Sequence, residues 1–236
     1  MKTLIYTDNV SRKFRVKGHQ IEAVTNVCIK LFTGQISLIR GTSGSGKTTL
    51  LNMIAGLDQP TSGSVIYQKK NLAKFSNSEK LQWRRKNIGF VFQSFALLPT
   101  LTAFENVQLP LRIKGLSPKI VKKKSVKYLE LVGLTSRIHH RTFELSGGEQ
   151  QRVAIARALV KEPEIIFADE PTGELDQANA NKTLSILQDI VKDRNTCLCL
   201  TSHDPAAIEF SDFVYIMHDG KLIEKFTPDS QSRIQF

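Results

Sequence analysis

Cysteine pairs, long apolar runs and a surplus of acid are what this chain lacks. Its three cysteines, Cys28, Cys197 and Cys199, are odd in number and show no C-x-x-C spacing, which excludes a disulfide framework and a zinc site alike. Cys197 and Cys199 stand two apart in a strand-like run, so they share one face and read as small core residues. No apolar run approaches the roughly 20 residues of a membrane-spanning helix, and Met1–Asp8 lacks the apolar core of a secretion signal. These absences predict a cytosolic chain, one still free to sit on a membrane surface. Acids are outnumbered, 22 Asp and Glu against 33 Lys and Arg, for a formal charge of +11 and a pI near 9.6. Such a balance attracts anions, and a nucleotide, a nucleic acid or an anionic lipid surface would each answer it. With 236 residues, 41% of them hydrophobic, the chain reads as one large or two closely joined globular domains whose core needs no covalent staple.

What is present is a series of strands that end in chemistry. Residues 3–10 and 21–32 alternate as strands, the second setting Glu22, Val24, Asn26, Cys28 and Lys30 against Ala23, Thr25, Val27, Ile29 and Leu31. Phe14, between them, stands among cations. It can stack on a purine base or fill a turn, and both readings stay open. Gln35–Arg40 is a buried strand leading into Gly41-Thr42-Ser43-Gly44-Ser45-Gly46-Lys47-Thr48, with Thr49 opening the helix behind it. This is G-x-x-x-x-G-K-[ST] in its required strand-before, helix-after setting, the P-loop pattern. Its glycines bring backbone N–H groups onto phosphates, Lys47 adds a point charge at the β/γ-phosphates, and the Thr48 hydroxyl suits Mg²⁺. The motif means a nucleoside triphosphate without saying what is done with it.

Three further strands deliver polar residues to the same sheet edge, where ligands collect in α/β folds. Ile88–Phe92 ends at Gln93, placed to reach Mg²⁺ or an attacking water. Glu164–Asp169 ends in a carboxylate suited to the metal's second side, and Glu170 follows as a candidate base for water. Thr196–Thr201 is followed by His203, a candidate γ-phosphate contact. A tight loop, Pro171–Asp176, leads to a helix over 177–193, and Asp219-Gly220 joins a terminal hairpin by a type I′ turn.

Residues 95–113 are apolar enough for the core of a helical subdomain with an exposed groove for a partner helix. The next helix, Ser117 to Gly133, carries a stripe of Ile120, Val121, Val126, Leu129 and Val132 and a solvated lysine face. Leu145-Ser146-Gly147-Gly148-Glu149-Gln150-Gln151-Arg152 then starts a helix with a serine cap and exposed glycine amides, a second anion site of different design.

Taken in order and spacing, Gly41–Thr48, Gln93, Leu145–Gln150, Asp169-Glu170, Asp176 and His203 resemble the motifs of the nucleotide-binding subunit of an ABC transporter, over essentially the whole chain. The resemblance implies an α/β fold: a P-loop NTPase (RecA-like) core with an antiparallel β subdomain and an inserted α-helical subdomain. It implies a single ABC ATPase domain over 1–236, with 1–93 and 161–236 as core plus β subdomain and 94–160 as the helical part. ATP and Mg²⁺ are the implied ligands. Thr48, Gln93 and Asp169 would face the metal, and Glu170 would activate water. Lys47 and His203 would hold the γ-phosphate, and Phe14 would stack on adenine. The resemblance assigns the stretch with Ser146, Gly147, Gly148 and Glu149 to the ATP of a second subunit, with Ser146 and Gly148 facing its γ-phosphate, so that two copies sandwich two nucleotides as a homodimer, and it counts Asp176 among the nucleotide-binding residues. It implies a membrane-spanning permease on a separate chain, a peripheral position at the cytoplasmic face of the cell membrane, and no nucleic acid partner.

Gly56–Gly63 and Ala168–Gly173 resemble one branch of that family, which serves lipoprotein release, macrolide or antimicrobial-peptide export and resistance, and cell-division signalling. Departures from the family pattern are Phe14 where Tyr is common, Glu174 where Asn or a small residue is common, and Thr142-Phe143 in place of a Pro-containing pair. Two other classes compete. A soluble ABC ATPase acting on nucleic acid or ribosomes is favoured by the +11 charge, but the chain shows neither a second nucleotide domain nor heptads. A small-molecule kinase shares the P-loop and has no use for Leu145–Gln150 or His203.

Overall fold

A computed structural model describes residues 1–16 and 18–228. Its centre is a run of strands too apolar to face water on either side. In chain order the first part comprises β1 (Thr3–Val16), β2 (His19–Val27), β3 (Lys30–Phe32), β4 (Ile36–Arg40), α1 (Lys47–Ile54), β5 (Ser62–Tyr67), β6 (Lys70–Asn71), α2 (Asn77–Asn87) and β7 (Ile88–Val91). Helices α3 (Ala103–Ile113), α4 (Pro118–Leu131) and α5 (Gly147–Leu159) follow. The chain then returns through β8 (Ile165–Asp169), α6 (Gln177–Arg194), β9 (Cys197–Ser202), β10 (Phe213–His218) and β11 (Lys221–Phe226).

The six-stranded sheet runs β11-β10-β4-β9-β8-β7, parallel except for β11. Alternation along β8 and β9 sends Ile166, Ala168, Leu198 and Leu200 to one core, and Ile165, Phe167, Cys197 and Cys199 to the other. The first core is closed by α3, α4, α5 and α6, and the second by α1, Trp83 of α2 and an antiparallel sheet in which β1 pairs with β2, β3 and β5. These are the α/β core, the antiparallel sheet and the helical group anticipated above. The Asp219-Gly220 turn has both residues at positive φ (45° and 73°), as a type I′ turn requires.

Some local expectations are corrected. Strand β1 continues through Phe14 to Val16 and pairs at once with β2, so Phe14 lies in a strand and not between two. The stretch 21–32 is two strands, broken at Cys28 and Ile29, and Asn26 at φ 49° flips the alternation just before the break. Val24 and Val27 are therefore both buried, and Cys28 is exposed. In α4 the inner face is Val121, Ser125, Tyr128 and Leu129, while Ile120 is 45% exposed. Tyr128 wins that inner position through its hydroxyl, which accepts from Arg194 (2.6 Å) and donates to Glu162 (3.2 Å), partners that α4 meets only in three dimensions. Within the apolar stretch 95–113, Leu98 and Ile113 are exposed. Among the described residues no helix is long and apolar enough to cross a membrane.

Candidate functional site

The loop from β4 to α1 is shaped by contacts that only glycine allows. A Cβ at Gly41 would run into the Met217 carbonyl and Ser45 Oγ, and one at Gly46 into the Ala23 carbonyl. Gly46, at φ 96°, is also the N-cap of α1, and no side chain caps that helix. The first amides of α1 and the positive end of its dipole are thus open to an anion. Ser45 Oγ is buried without a hydrogen-bond partner among the described residues, as expected of a cradle built for an oxygen-rich ligand. Thr42, Ser43 and Gly44 line its exposed mouth.

Lys47 is buried, and its ammonium donates to the carbonyls of Gly41 (2.9 Å) and Thr42 (3.0 Å) and lies 3.3 Å from Glu170 Oε1. Its charge is satisfied by the loop it would release on meeting phosphate. Asp169, ending β8, accepts from the Thr48 hydroxyl (3.0 Å) and the Thr201 hydroxyl (2.7 Å). Thr201 Oγ1 in turn accepts from the Glu170 amide at 2.9 Å. Glu170 has a left-handed backbone, φ 43°, which costs a residue with a side chain roughly 1–2 kcal/mol. Its carboxylate reaches Lys47 through one oxygen and His203 Nδ1 (3.2 Å) through the other. Gly173 closes the loop behind it with an N–H to the Glu170 carbonyl. The arrangement therefore brings together Lys47, Thr48, Asp169, Glu170 and His203, and adds Thr201, which the sequence reading missed. The parallel register that sets Asp169 beside Thr201 was its only signal.

Other candidates stand apart. Gln93 is exposed two residues beyond β7, and among the described residues its side chain makes no hydrogen bond. Phe14 is half-buried with the Arg12 guanidinium 4.6 Å from its ring centroid, and Asp58 holds that guanidinium at 2.8 Å. Ser146 caps α5 in a reciprocal box with Glu149, and Arg137 pairs with the same Glu149 at 3.1 Å. Gly147 faces Leu175 and Phe95 loosely, whereas Gly148 is buried so close to Asn179 that a Cβ there would lie 2.6 Å from its Oδ1. Asp176 caps α6 through the Asn179 amide (2.9 Å) and also accepts from its side chain. Gln151 ties α5 to the acid loop by donating to the Pro171 carbonyl. On the helical side, a groove of about 340 Å³ is floored by Leu57, Phe90, Phe92 and Pro110 and edged by Arg84, Arg157 and Lys161.

A phosphate cradle, a Thr–Asp pair of hard oxygens and a carboxylate beside a histidine define a P-loop nucleoside triphosphatase. The profile of the ABC transporter family matches residues 24–173, and this chain belongs to that family. It is 42% identical over 217 residues, 92% of either chain, to the lipoprotein-releasing system ATP-binding protein LolD of Legionella pneumophila (strain Paris). Two dimeric structures of the ATP-binding cassette MJ0796 are similar at 36% identity. The one in a post-hydrolysis state with ADP and Pi superposes with a TM-score of 0.88 over 95% of this chain and 98% of that one. The other gives 0.89 over the same shares. The fold is shared too by cbiO1 of Clostridium perfringens, part of the transporter complex cbiONQ, at 24% identity, a TM-score of 0.87, and 97% and 90% coverage.

Proposed function

We propose that this chain is the ATP-hydrolysing subunit of a transporter whose membrane-spanning part is a separate protein, of the kind that releases lipoproteins or exports antimicrobial compounds. The observation that carries the reading is the likeness to LolD along nearly the whole of both chains. On this reading Lys47 leaves the Gly41 and Thr42 carbonyls for the phosphates, Ser45 Oγ gains its missing partner, and Phe14 supports the base on the face away from Arg12. Thr48 and Asp169, already 3.0 Å apart, would hold Mg²⁺, which takes one or two protein oxygens and leaves the rest to phosphate and water. Bound there, magnesium would neutralise and align the β- and γ-phosphate oxygens. Glu170 accepts the proton of the attacking water, oriented by His203 at its other oxygen, and Gln93 senses the γ-phosphate side.

The subunit works as a homodimer at the cytoplasmic face of the membrane, with Ser146 and the exposed Gly147 serving the partner subunit's ATP. Residues 94–160 form the helical unit that carries this second anion site. The groove at Phe90, Phe92 and Pro110 receives a short segment of the membrane protein, next to the Gln93 loop. Purification from detergent-solubilised membranes tests the reading: a stoichiometric membrane-spanning partner is expected, retained less well when Arg85, which also lines the groove, is changed to alanine (Arg85→Ala). Recovery with RNA and no membrane protein would overturn it in favour of an ABC ATPase of nucleic acid, the alternative that the +11 charge favours.

A further inference from the structure

The backbone between Gln93 and α3 holds two consecutive residues with side chains in the left-handed region, Phe95 at φ 58° and Ala96 at φ 49°. Such residues visit that region at a cost. The other consecutive pair with side chains there, Gln68 and Lys69, is held by the β5–β6 ladder that it joins, whereas 95–96 joins no paired strands and needs another support. Local bonds are short-range: the Phe95 amide donates to the Phe92 carbonyl at 3.2 Å and the Ala96 amide to the Ser94 carbonyl at 2.5 Å. The external support comes from α5. The two terminal nitrogens of Arg157 donate separately to the Ala96 carbonyl (2.5 Å) and the Phe95 carbonyl (2.8 Å). Among the described residues no carboxylate lies within ion-pair distance of this guanidinium. A desolvated cation whose partners are two carbonyls of a strained turn costs more than an apolar residue of the same size would, so packing alone does not account for it.

The far end of the same loop is fixed independently. Asn106 of α3 is fully buried, donates to the carbonyls of Leu98, Leu101 and Thr102, and accepts from the Leu98 amide. What remains adjustable is the turn at 95–96, two residues from Gln93, and that turn is what Arg157 grips. Arg157 and Ala96 also sit in the wall of the partner groove.

We infer that Arg157 is a positioning residue for ATP hydrolysis: its planar fork holds Phe95 and Ala96 in the left-handed conformation and thereby sets where Gln93 stands relative to the nucleotide. Lysine, with one point donor, cannot bridge both carbonyls. The catalytic consequence rests on the role proposed for Gln93, whereas the grip on the loop does not.

Amide exchange and steady-state turnover on the full-length chain test the two parts separately. Arg157→Ala is expected to speed exchange at Phe95 and Ala96 and to lower kcat about 10-fold, with KM for ATP moved less than about 3-fold, since misplacing a group acts on the chemical step. Arg157→Lys falls between. Adding Ala96→Gly to Arg157→Ala recovers part of kcat, because glycine adopts the turn without strain; damage to α5 packing would gain nothing from that glycine. Unchanged exchange in both Arg157 variants overturns the proposal, as does a loss of kcat that neither Arg157→Lys nor Ala96→Gly relieves. If Arg157→Ala does not fold, Arg157→Lys with and without Ala96→Gly carries the same comparison. Faster exchange with normal turnover overturns the catalytic part. Gln93→Ala measured alongside then separates the causes: normal turnover in that variant removes the role proposed for Gln93, and lowered turnover shows that the Arg157 clamp does not set its position.

Discussion

Thr201 is the small residue that makes two adjacent acids behave differently. Its hydroxyl donates to Asp169 and accepts the Glu170 amide, so one oxygen fixes the carboxylate proposed to face the metal and the backbone of the carboxylate proposed to activate water. Thr201→Val keeps the shape and removes both bonds. The Glu170 N–H is left without its acceptor, which costs about 1–3 kcal/mol of stability, and turnover should fall about 10-fold as the pair loses its alignment. Glu170→Gln should fall at least ~10²-fold with ATP binding preserved, while Thr201→Ser stays near wild type. Single-turnover hydrolysis and denaturant unfolding of the three variants decide the ranking; a Thr201→Val enzyme of normal rate and stability removes the role. The two acids were legible in the sequence because a buried strand ending in Asp-Glu has few bland explanations. Thr201 was not, because its part depends on which residue of β9 stands level with Asp169, a register that no local pattern encodes.

At the scale of elements, the serine cap of α5 was legible and the face of β2 was not. Three helices, α2, α3 and α5, begin with reciprocal boxes, Ser76 with Glu79, Thr102 with Glu105 and Ser146 with Glu149. Each needs only four residues of sequence. The face of β2 could not be read that way, because Asn26 reverses it by a backbone choice made to meet Ser11, whose hydroxyl bonds both its amide and its side chain. The boxes have a pH signature. Hydrogen bonds from the Ser146 backbone, then from Arg137, hold the Glu149 carboxyl below its ordinary value of 4.5. Glu79 and Glu105 are lowered in the same way by the Ser76 and Thr102 backbones. The unfolded chain therefore binds more protons than the folded one in this range, and stability rises with pH. The contribution is complete above the ordinary carboxylate value and is lost as pH falls through the lowered ones. Glu149→Gln keeps the box, since an amide also reaches the cap N–H, but cannot titrate. Denaturant midpoints measured between pH 5 and 3 should fall less steeply for Glu149→Gln than for wild type. Parallel slopes would show that this carboxylate is not held.

For the whole molecule, the question is why one chain carries two anion-ready helix starts. The P-loop mouth at the edge of the six-stranded sheet is walled by Ala23, Met217 and the acid pair, all from its own chain. The start of α5 is bound instead to the loop 174–179 and the Asp176 cap, and among the described residues no hydrogen bond joins it to the P-loop. At its exposed end the Ser146 amide is taken by Glu149 and the Ser146 hydroxyl accepts from the Glu149 amide, which leaves the Gly147 amide and the serine O–H as the donors proposed to meet a nucleotide held by another chain. A second copy supplies that anion if two chains close face to face; the similar cassette MJ0796 is dimeric in both of its structures. The structure selects the residue to block. Ser146 also caps the helix, so its replacement costs about 1 kcal/mol in its own right, and Gly148 is packed on Asn179. Gly147 has ordinary van der Waals room, its added Cβ lying 3.8 Å from Leu175 and 3.9 Å from Phe95, so Gly147→Arg obstructs the approach of a nucleotide without unseating the helix. Lys47→Ala and Gly147→Arg, each placed in a Glu170→Gln background to arrest turnover, should stay monomeric with ATP when separate. Mixed, they form one composite site from the intact P-loop of one and the intact α5 start of the other, and an ATP-dependent dimer should elute in size-exclusion chromatography. A mixture that remains monomeric while the Glu170→Gln parent dimerises would show that α5 does not serve the neighbouring chain's nucleotide. A Gly147→Arg chain that closes on its own would place the contact elsewhere on the same face.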